Sequence, residues 1–114
     1  MNKYFSIVLP TYNECKNVEL ITNEIDHAMY GAGWAYEIIF VDDSSDNTPD
    51  IIRSVIEKRG DDSMRLIHRN PEDRTGLATA VLEGIRAARG DIVCTMDSDL
   101  QHPPSAMPQM LEQI

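Results

Sequence analysis

Apolar positions along the chain follow two alternating rhythms. Four short runs, at residues 6–9, 37–41, 64–68 and 92–96, are almost continuously hydrophobic and too short for helices. Between them, apolar residues recur at helical spacing: Val18, Ile21, Ile25 and Met29, then Ile51, Ile52, Val55 and Ile56, then Leu77, Val81, Ile85 and Ala88. The punctuation agrees. Pro10 closes the first run, Gly31 and Gly33 end the first helical stretch at about residue 30, Gly60 ends the second and Gly90 the third. Thr48 reads as an N-cap with Pro49 in the first helical position and Asp50 in the first turn. A short helix is expected from about Ser105, after Pro103 and Pro104. Strands alternating with helices predict an α/β fold: a mostly parallel sheet flanked by helices on both faces, which is also why the strands lack a polar side.

This frame places the polar motifs. Thr11-Tyr12-Asn13-Glu14 follows the first strand, Asp42-Asp43-Ser44-Ser45-Asp46 the second, and Asp97-Ser98-Asp99 the fourth. All three lie at carboxyl ends of strands, the edge at which open α/β sheets bind ligands. Extended backbone sends alternate residues to one side, so Asp97, Asp99 and Gln101 face a common point. Two carboxylates and an amide supply oxygen only, which suits a hard divalent cation, Mg2+ or Mn2+, that keeps waters and binds phosphates. A merely capped strand end requires no such phase.

Composition narrows the partners. The 114 residues suit one domain, and 42% hydrophobic content supports a real core. A net charge of -9 argues against nucleic acid and anionic lipid as partners. No run of about 18 apolar residues suggests a membrane span, and residues 1–10 lack the features of a signal peptide. Cys15 and Cys94 make no disulfide framework, which fits a cytoplasmic setting. Cys94 reads as a core thiol; His27, His68 and His102 read as structural or surface histidines.

Four stretches together, Ile7-Val-Leu-Pro-Thr-Tyr-Asn-Glu14, Val41-Asp-Asp-Ser-Ser-Asp46, Gly76-Leu-Ala-Thr-Ala-Val-Leu-Glu-Gly84 and Gly90-Asp91 running into Met96-Asp-Ser-Asp-Leu-Gln-His-Pro-Pro104, give the chain a likeness over nearly its whole length. It resembles the Rossmann-like, nucleotide-binding half of family 2 glycosyltransferases of the GT-A fold, in particular dolichol-phosphate mannosyltransferases and other polyprenyl-phosphate glycosyltransferases. The resemblance implies transfer of a hexose from a nucleoside diphosphate sugar, of GDP-mannose or UDP-glucose type, to a polyprenyl phosphate at the cytosolic membrane face. It makes Asp97 and Asp99 catalytic, and assigns the metal to Asp97, Asp99 and Gln101, with Asp97 also on the donor. Pro10, Thr11 and Tyr12 then shape the turn under the nucleobase, Tyr12 offering its ring for stacking. Glu14 faces base or ribose hydroxyls, and Asp42 and Asp43 contact base and ribose. A carboxylate pairs with uracil or guanine alike, so the base stays open. Arg69 and Arg74 flank the loop before the third helix, and Arg74 is the guanidinium expected on the donor diphosphate. For Ser44, Ser45 and Asp46, turn and capping chemistry is the better reading.

Members of that family continue well past the Asp-x-Asp, whereas this chain ends at Ile114. Residues 1–114 therefore read as the donor-binding portion of a glycosyltransferase domain without its acceptor-binding portion, weakly active or inactive alone. Such a portion is expected to expose apolar surface and to self-associate. The same donor half also suits a polysaccharide or protein acceptor. A signalling receiver domain and an Asp-nucleophile phosphatase fit poorly, because their acidic motifs follow the first strand rather than the second and fourth.

Overall fold

The computed structural model describes residues 4–30, 33 and 35–96. Within them run β1 (Tyr4–Thr11), α1 (Val18–Met29), β2 (Ala35–Asp42), α2 (Thr48–Arg59), β3 (Met64–His68), a single 3-10 turn (Pro71–Asp73), α3 (Leu77–Ala87) and β4 (Ile92–Thr95). The expected short helix after Ser105 lies outside the described residues.

All four strands are parallel, in the order β3-β2-β1-β4. Right-handed crossovers decide where the helices go. The chain steps in one direction from β1 through β2 to β3, which puts α1 and α2 on one face. It then returns past β1 to β4, which puts α3 on the other. The two cores follow. Phe5, Ile7, Leu9, Ile38 and Phe40 pack against Val18, Ile21, Ile25 and Met29 of α1 and Ile52 and Val55 of α2, while Val8, Ile39 and Val41 meet Ala80 of α3. The strand order reverses at β1, so the crevice beyond the carboxyl ends of β1 and β4 is the natural ligand position.

Two local details depart from expectation. Thr48 is the first residue of α2 rather than its cap; Asp46 accepts from the Thr48 backbone N–H and hydroxyl. In α3 the buried positions are Ala80 and Gly84, whereas Leu77 is 62% and Ile85 43% exposed, and Val81 and Ala88 are only half-buried. The reason is how closely α3 lies on the sheet. A β-carbon on Gly84 would come within 2.3 Å of Val8 Cγ1 and 3.1 Å of Val41 Cγ2. Small residues one turn apart admit that approach, and the bulky ones are displaced to the flanks.

At the amino edge of the sheet a buried polar cluster fastens the end of α3. Glu37, fully buried, accepts from Ser6 Oγ at 2.6 Å, from the Arg89 N–H at 2.7 Å and from Arg65 Nη2 at 2.7 Å, while Arg65 also donates to the Ala87 carbonyl. Burial favours protonation of Glu37, but the donors from Ser6, Arg89 and Arg65 outweigh it and hold the carboxyl below its ordinary value. Nearby, Tyr36 donates to Asp26, which also takes a pair of bonds from Arg59. Burial and the Asp26 carboxylate push the Tyr36 phenol up to about 12.

Candidate functional site at the carboxyl edge

Register sets the site. Thr11 pairs with Asp42, and Asp42 with His68, so the last residues of β1, β2 and β3 share one level and one face. Asp42 is in phase with Ile38 and Phe40, and its side chain therefore turns inward. It is fully buried. Its Oδ1 accepts from Thr11 Oγ1 and Ser44 Oγ, each at 2.6 Å, and its Oδ2 from His68 Nδ1 at 2.8 Å and the Ser44 N–H at 3.2 Å. A carboxylate has about four acceptor positions, and all four are taken. Asp42 thus lies beneath the site, joining three strand ends, where the sequence motif suggested direct contact with a base.

Above this hub the loops open outward. Pro10 follows the last β1–β4 pair, Val8 with Thr95, so its missing N–H falls beyond that ladder. Tyr12 is 66% exposed. Asn13 adopts a left-handed conformation, with φ of 53°. Its N–H donates to Ser44 Oγ at 2.7 Å, and its Oδ1 accepts from the Ser45 N–H at 3.1 Å. Ser44 and Ser45 accordingly do the turn work foreseen for them, and the exchange holds the Tyr12 ring out from the sheet edge. Glu14 is half-buried and accepts from Asn17 Nδ2 at 2.9 Å. It stands four residues before α1 rather than in that helix's first turn.

Asp43 and the two arginines form the far side. The side chain of Arg69 is only 2% exposed. It clasps Asp43 through Nε at 2.7 Å and Nη2 at 2.5 Å, and donates to Thr79 Oγ1 at 3.0 Å and the Gly76 carbonyl at 3.2 Å. Asp43 raises the Arg69 pKa further, against the opposing effect of burial. Arg69 is thus a strut between the end of β2 and the start of α3, tied to protein by four hydrogen bonds. Gly76, at φ of 124°, makes the turn that aims its carbonyl at that strut. Arg74 is the more open cation. It donates from Nε to the Arg69 carbonyl at 3.1 Å, and its Nη2 meets His68 Nε2 at 3.4 Å. The sequence pointed to His68 only as a structural histidine; its partner Asp42 comes from another strand, 26 residues away.

Asp97, Asp99 and Gln101 lie outside the described residues. The chain enters them directly from β4, whose last main-chain bond is Met96 N–H to the Val8 carbonyl at 3.1 Å. Among the described residues no group of three or more His, Cys, Asp or Glu side chains is disposed to hold a metal ion. The acids of the described edge are instead held by donors: Asp42 by hydroxyls, an amide and an imidazole, Asp43 by Arg69.

Comparison with known proteins agrees with this geometry. The chain is 40% identical over 110 residues to a dolichol-phosphate mannosyltransferase of Pyrococcus furiosus, covering 96% of this chain and 29% of that protein. It is 35% identical over 109 residues to an undecaprenyl-phosphate 4-deoxy-4-formamido-L-arabinose transferase of Pseudomonas aeruginosa, covering 94% of this chain and 31% of that one. The chain thus spans under a third of the curated relatives it matches. Among solved structures, a mannosyltransferase from Pyrobaculum calidifontis in complex with GDP-Man and Mn2+ superposes with a TM-score of 0.83 at 27% identity, over 98% of this chain and 32% of that one. A glucosyl-3-phosphoglycerate synthase from Mycobacterium tuberculosis, in complex with Mn2+, UDP and phosphoglyceric acid, gives 0.71 at 29% identity, over 96% and 38%. These neighbours share the GT-A arrangement of a parallel sheet between helices. Residues 6–114 match the model of glycosyl transferase family 2, and with three strand ends converging on one polar edge the chain belongs to that family.

Proposed function

We propose that residues 1–114 form the donor-binding part of an enzyme that transfers a hexose from a nucleoside diphosphate sugar to a polyprenyl phosphate. The observation that carries this is the carboxyl edge itself. Across the carboxyl ends of β1, β2 and β3, an exposed Tyr12 ring, a half-buried Asp43 and a half-buried Arg74 stand around a hydrogen-bonded floor of Thr11, Asp42 and His68. Tyr12 offers a face to the nucleobase, Asp43 and Glu14 offer acceptors to base and ribose, and Arg74 offers a guanidinium to the donor. Pro10 and Thr11 fix the turn beneath. Asp97, Asp99 and Gln101 follow β4 in the sequence, and their oxygen-only set fits Mg2+ or Mn2+. When bound, that cation offsets charge on the departing nucleoside diphosphate.

Both GDP-Man and UDP occur in the structural neighbours, so either base suits the reading. The names of the two curated relatives favour a polyprenyl phosphate acceptor, whose phosphate oxygen attacks the anomeric carbon. That acceptor would bring the whole enzyme to the cytosolic membrane face. Among the described residues no helix is long and apolar enough to cross a membrane. Leu77, Leu82, Ile85 and Val93 are exposed apolar residues on α3 and β4 and would support self-association of the isolated chain.

Calorimetric titration of UDP, GDP and their sugar conjugates tests the donor reading. It is run with Mn2+ or Mg2+, with chelator, and with the Asp97→Asn, Asp99→Asn double variant. Metal-dependent binding of one nucleotide, lost in the double variant, is the expected result. A folded chain that binds neither nucleotide overturns it.

A further inference from the structure

The row of side chains below the site has a feature that donor binding alone does not require. Thr11, Asp42, His68 and Arg74 form one hydrogen-bonded line across the ends of β1, β2 and β3 and into the loop before α3. An arginine is donor-only, so the His68 Nε2 that faces Arg74 Nη2 at 3.4 Å must present a lone pair. The ring proton is then on Nδ1, where it donates to Asp42 Oδ2 at 2.8 Å. Asp42 is itself fixed by Thr11 and Ser44. The imidazole is thereby locked in one tautomer and one orientation, and it is the only side chain with a hydrogen bond to the Arg74 guanidinium among the described residues.

We infer that His68 is the positioning residue that aims Arg74 at the donor nucleotide, with buried Asp42 as the anchor that orients the imidazole. The inference rests on the donor role given to Arg74 above. It assigns His68 no contact with substrate; the histidine acts through the guanidinium.

Two substitutions separate the ring nitrogens. In His68→Asn the amide N–H replaces Nδ1 and keeps a donor for Asp42, but nothing accepts from Arg74. In His68→Gln the amide oxygen reaches the Nε2 position and accepts from Arg74, while the donor to Asp42 is lost. Dissociation constants for GDP and UDP with Mn2+ are measured by calorimetry, alongside thermal melting, for both variants, for Arg74→Ala and for His68→Asn combined with Arg74→Ala. Arg74→Ala should weaken binding of the preferred nucleotide about 10- to 100-fold, the worth of a charge-assisted hydrogen bond. His68→Asn should weaken it about 3- to 10-fold at near-native Tm. His68→Gln should melt lower yet bind like the parent, and the double variant should bind no worse than Arg74→Ala. Parental binding by His68→Asn, or a cost that adds fully to that of Arg74→Ala, overturns the positioning role while leaving the donor reading intact. If Arg74→Ala itself binds like the parent, the donor role of Arg74 fails and the inference with it.

Discussion

Asn13 and Ser44 lock two loops of different strands together: the Asn13 N–H donates to Ser44 Oγ at 2.7 Å, and that same hydroxyl donates to Asp42 Oδ1 at 2.6 Å. One small side chain thus couples the backbone that presents Tyr12 to the buried carboxylate beneath. The left-handed Asn13, at φ of 53°, is the cost of turning the chain so sharply, and its bond to Ser44 Oγ and the one it accepts from the Ser45 N–H offset it.

Ser44→Ala should therefore destabilise the fold by about 1–3 kcal/mol, because it leaves Asp42 short of a donor and the Asn13 N–H without its acceptor. It should also weaken nucleotide binding in the folded fraction, by freeing the loop that carries Tyr12. Urea unfolding with a parallel titration checks both. Parental stability would show that solvent replaces the hydroxyl without loss.

The adjacent acids Asp42 and Asp43 should separate by their effect on nucleotide affinity. Asp42→Asn puts an amide among donors that need an acceptor and should cost about 1–3 kcal/mol of stability. Asp43→Asn weakens the grip on the nearly buried Arg69 and should cost at least as much stability, but it should also lower nucleotide affinity in the folded fraction. Denaturation midpoints compared with dissociation constants decide it. Equal losses of nucleotide affinity in the two variants would contradict the inward placement of Asp42.

Much of this was legible in the sequence. Near-continuous apolar runs and helical spacing named every described strand and α-helix, since period together with run length distinguishes a buried strand from an amphipathic helix. Strand lengths were less legible. β1 extends to Tyr4 and Thr11, and β2 to Ala35 and Asp42, because pairing recruits residues beyond the ends of the apolar runs. At the site, the motif named both Asp42 and Asp43, and phase with Phe40 decides which one turns inward. The Arg69–Asp43 clasp and the Asp42–His68 bond depend on the register between β2 and β3, which no local pattern encodes. The face of α3 was misread because burial there follows close approach at Gly84, not side-chain bulk.

Acid should weaken the fold at the amino edge through Glu37. The folded pKa of Glu37 is depressed below its ordinary 4.5, so its contribution is fully present above that value and is lost as pH falls through the lower folded value. Glu37→Gln should cost about 2 kcal/mol near neutrality, where Arg65 loses its charged partner. Below pH 4.5 the Tm of the variant should fall less steeply than that of the parent. Parallel Tm–pH curves for the two proteins over that acid window would remove Glu37 from the account.

The close seat of α3 on the sheet gives the last prediction. Gly84→Ala improves helix propensity by about 1 kcal/mol, which on propensity alone should stabilise α3. Yet the new β-carbon would lie 2.3 Å from Val8 Cγ1, on a β-branched side chain with little rotamer freedom in a central strand. Either α3 lifts from the sheet or Val8 leaves its rotamer, at a cost of about 1–3 kcal/mol. The net change should be destabilising, and lifting α3 would also strain Gly76 and Thr79, which hold Arg69 at the site. Val8→Ala removes the clashing methyl groups, so adding it to Gly84→Ala should cost less than it does in the parent chain. A double-mutant cycle on unfolding free energies measures that coupling. Additive costs, or a Gly84→Ala variant more stable than the parent, would mean that α3 rides farther from β1 than Ala80 and Gly84 indicate.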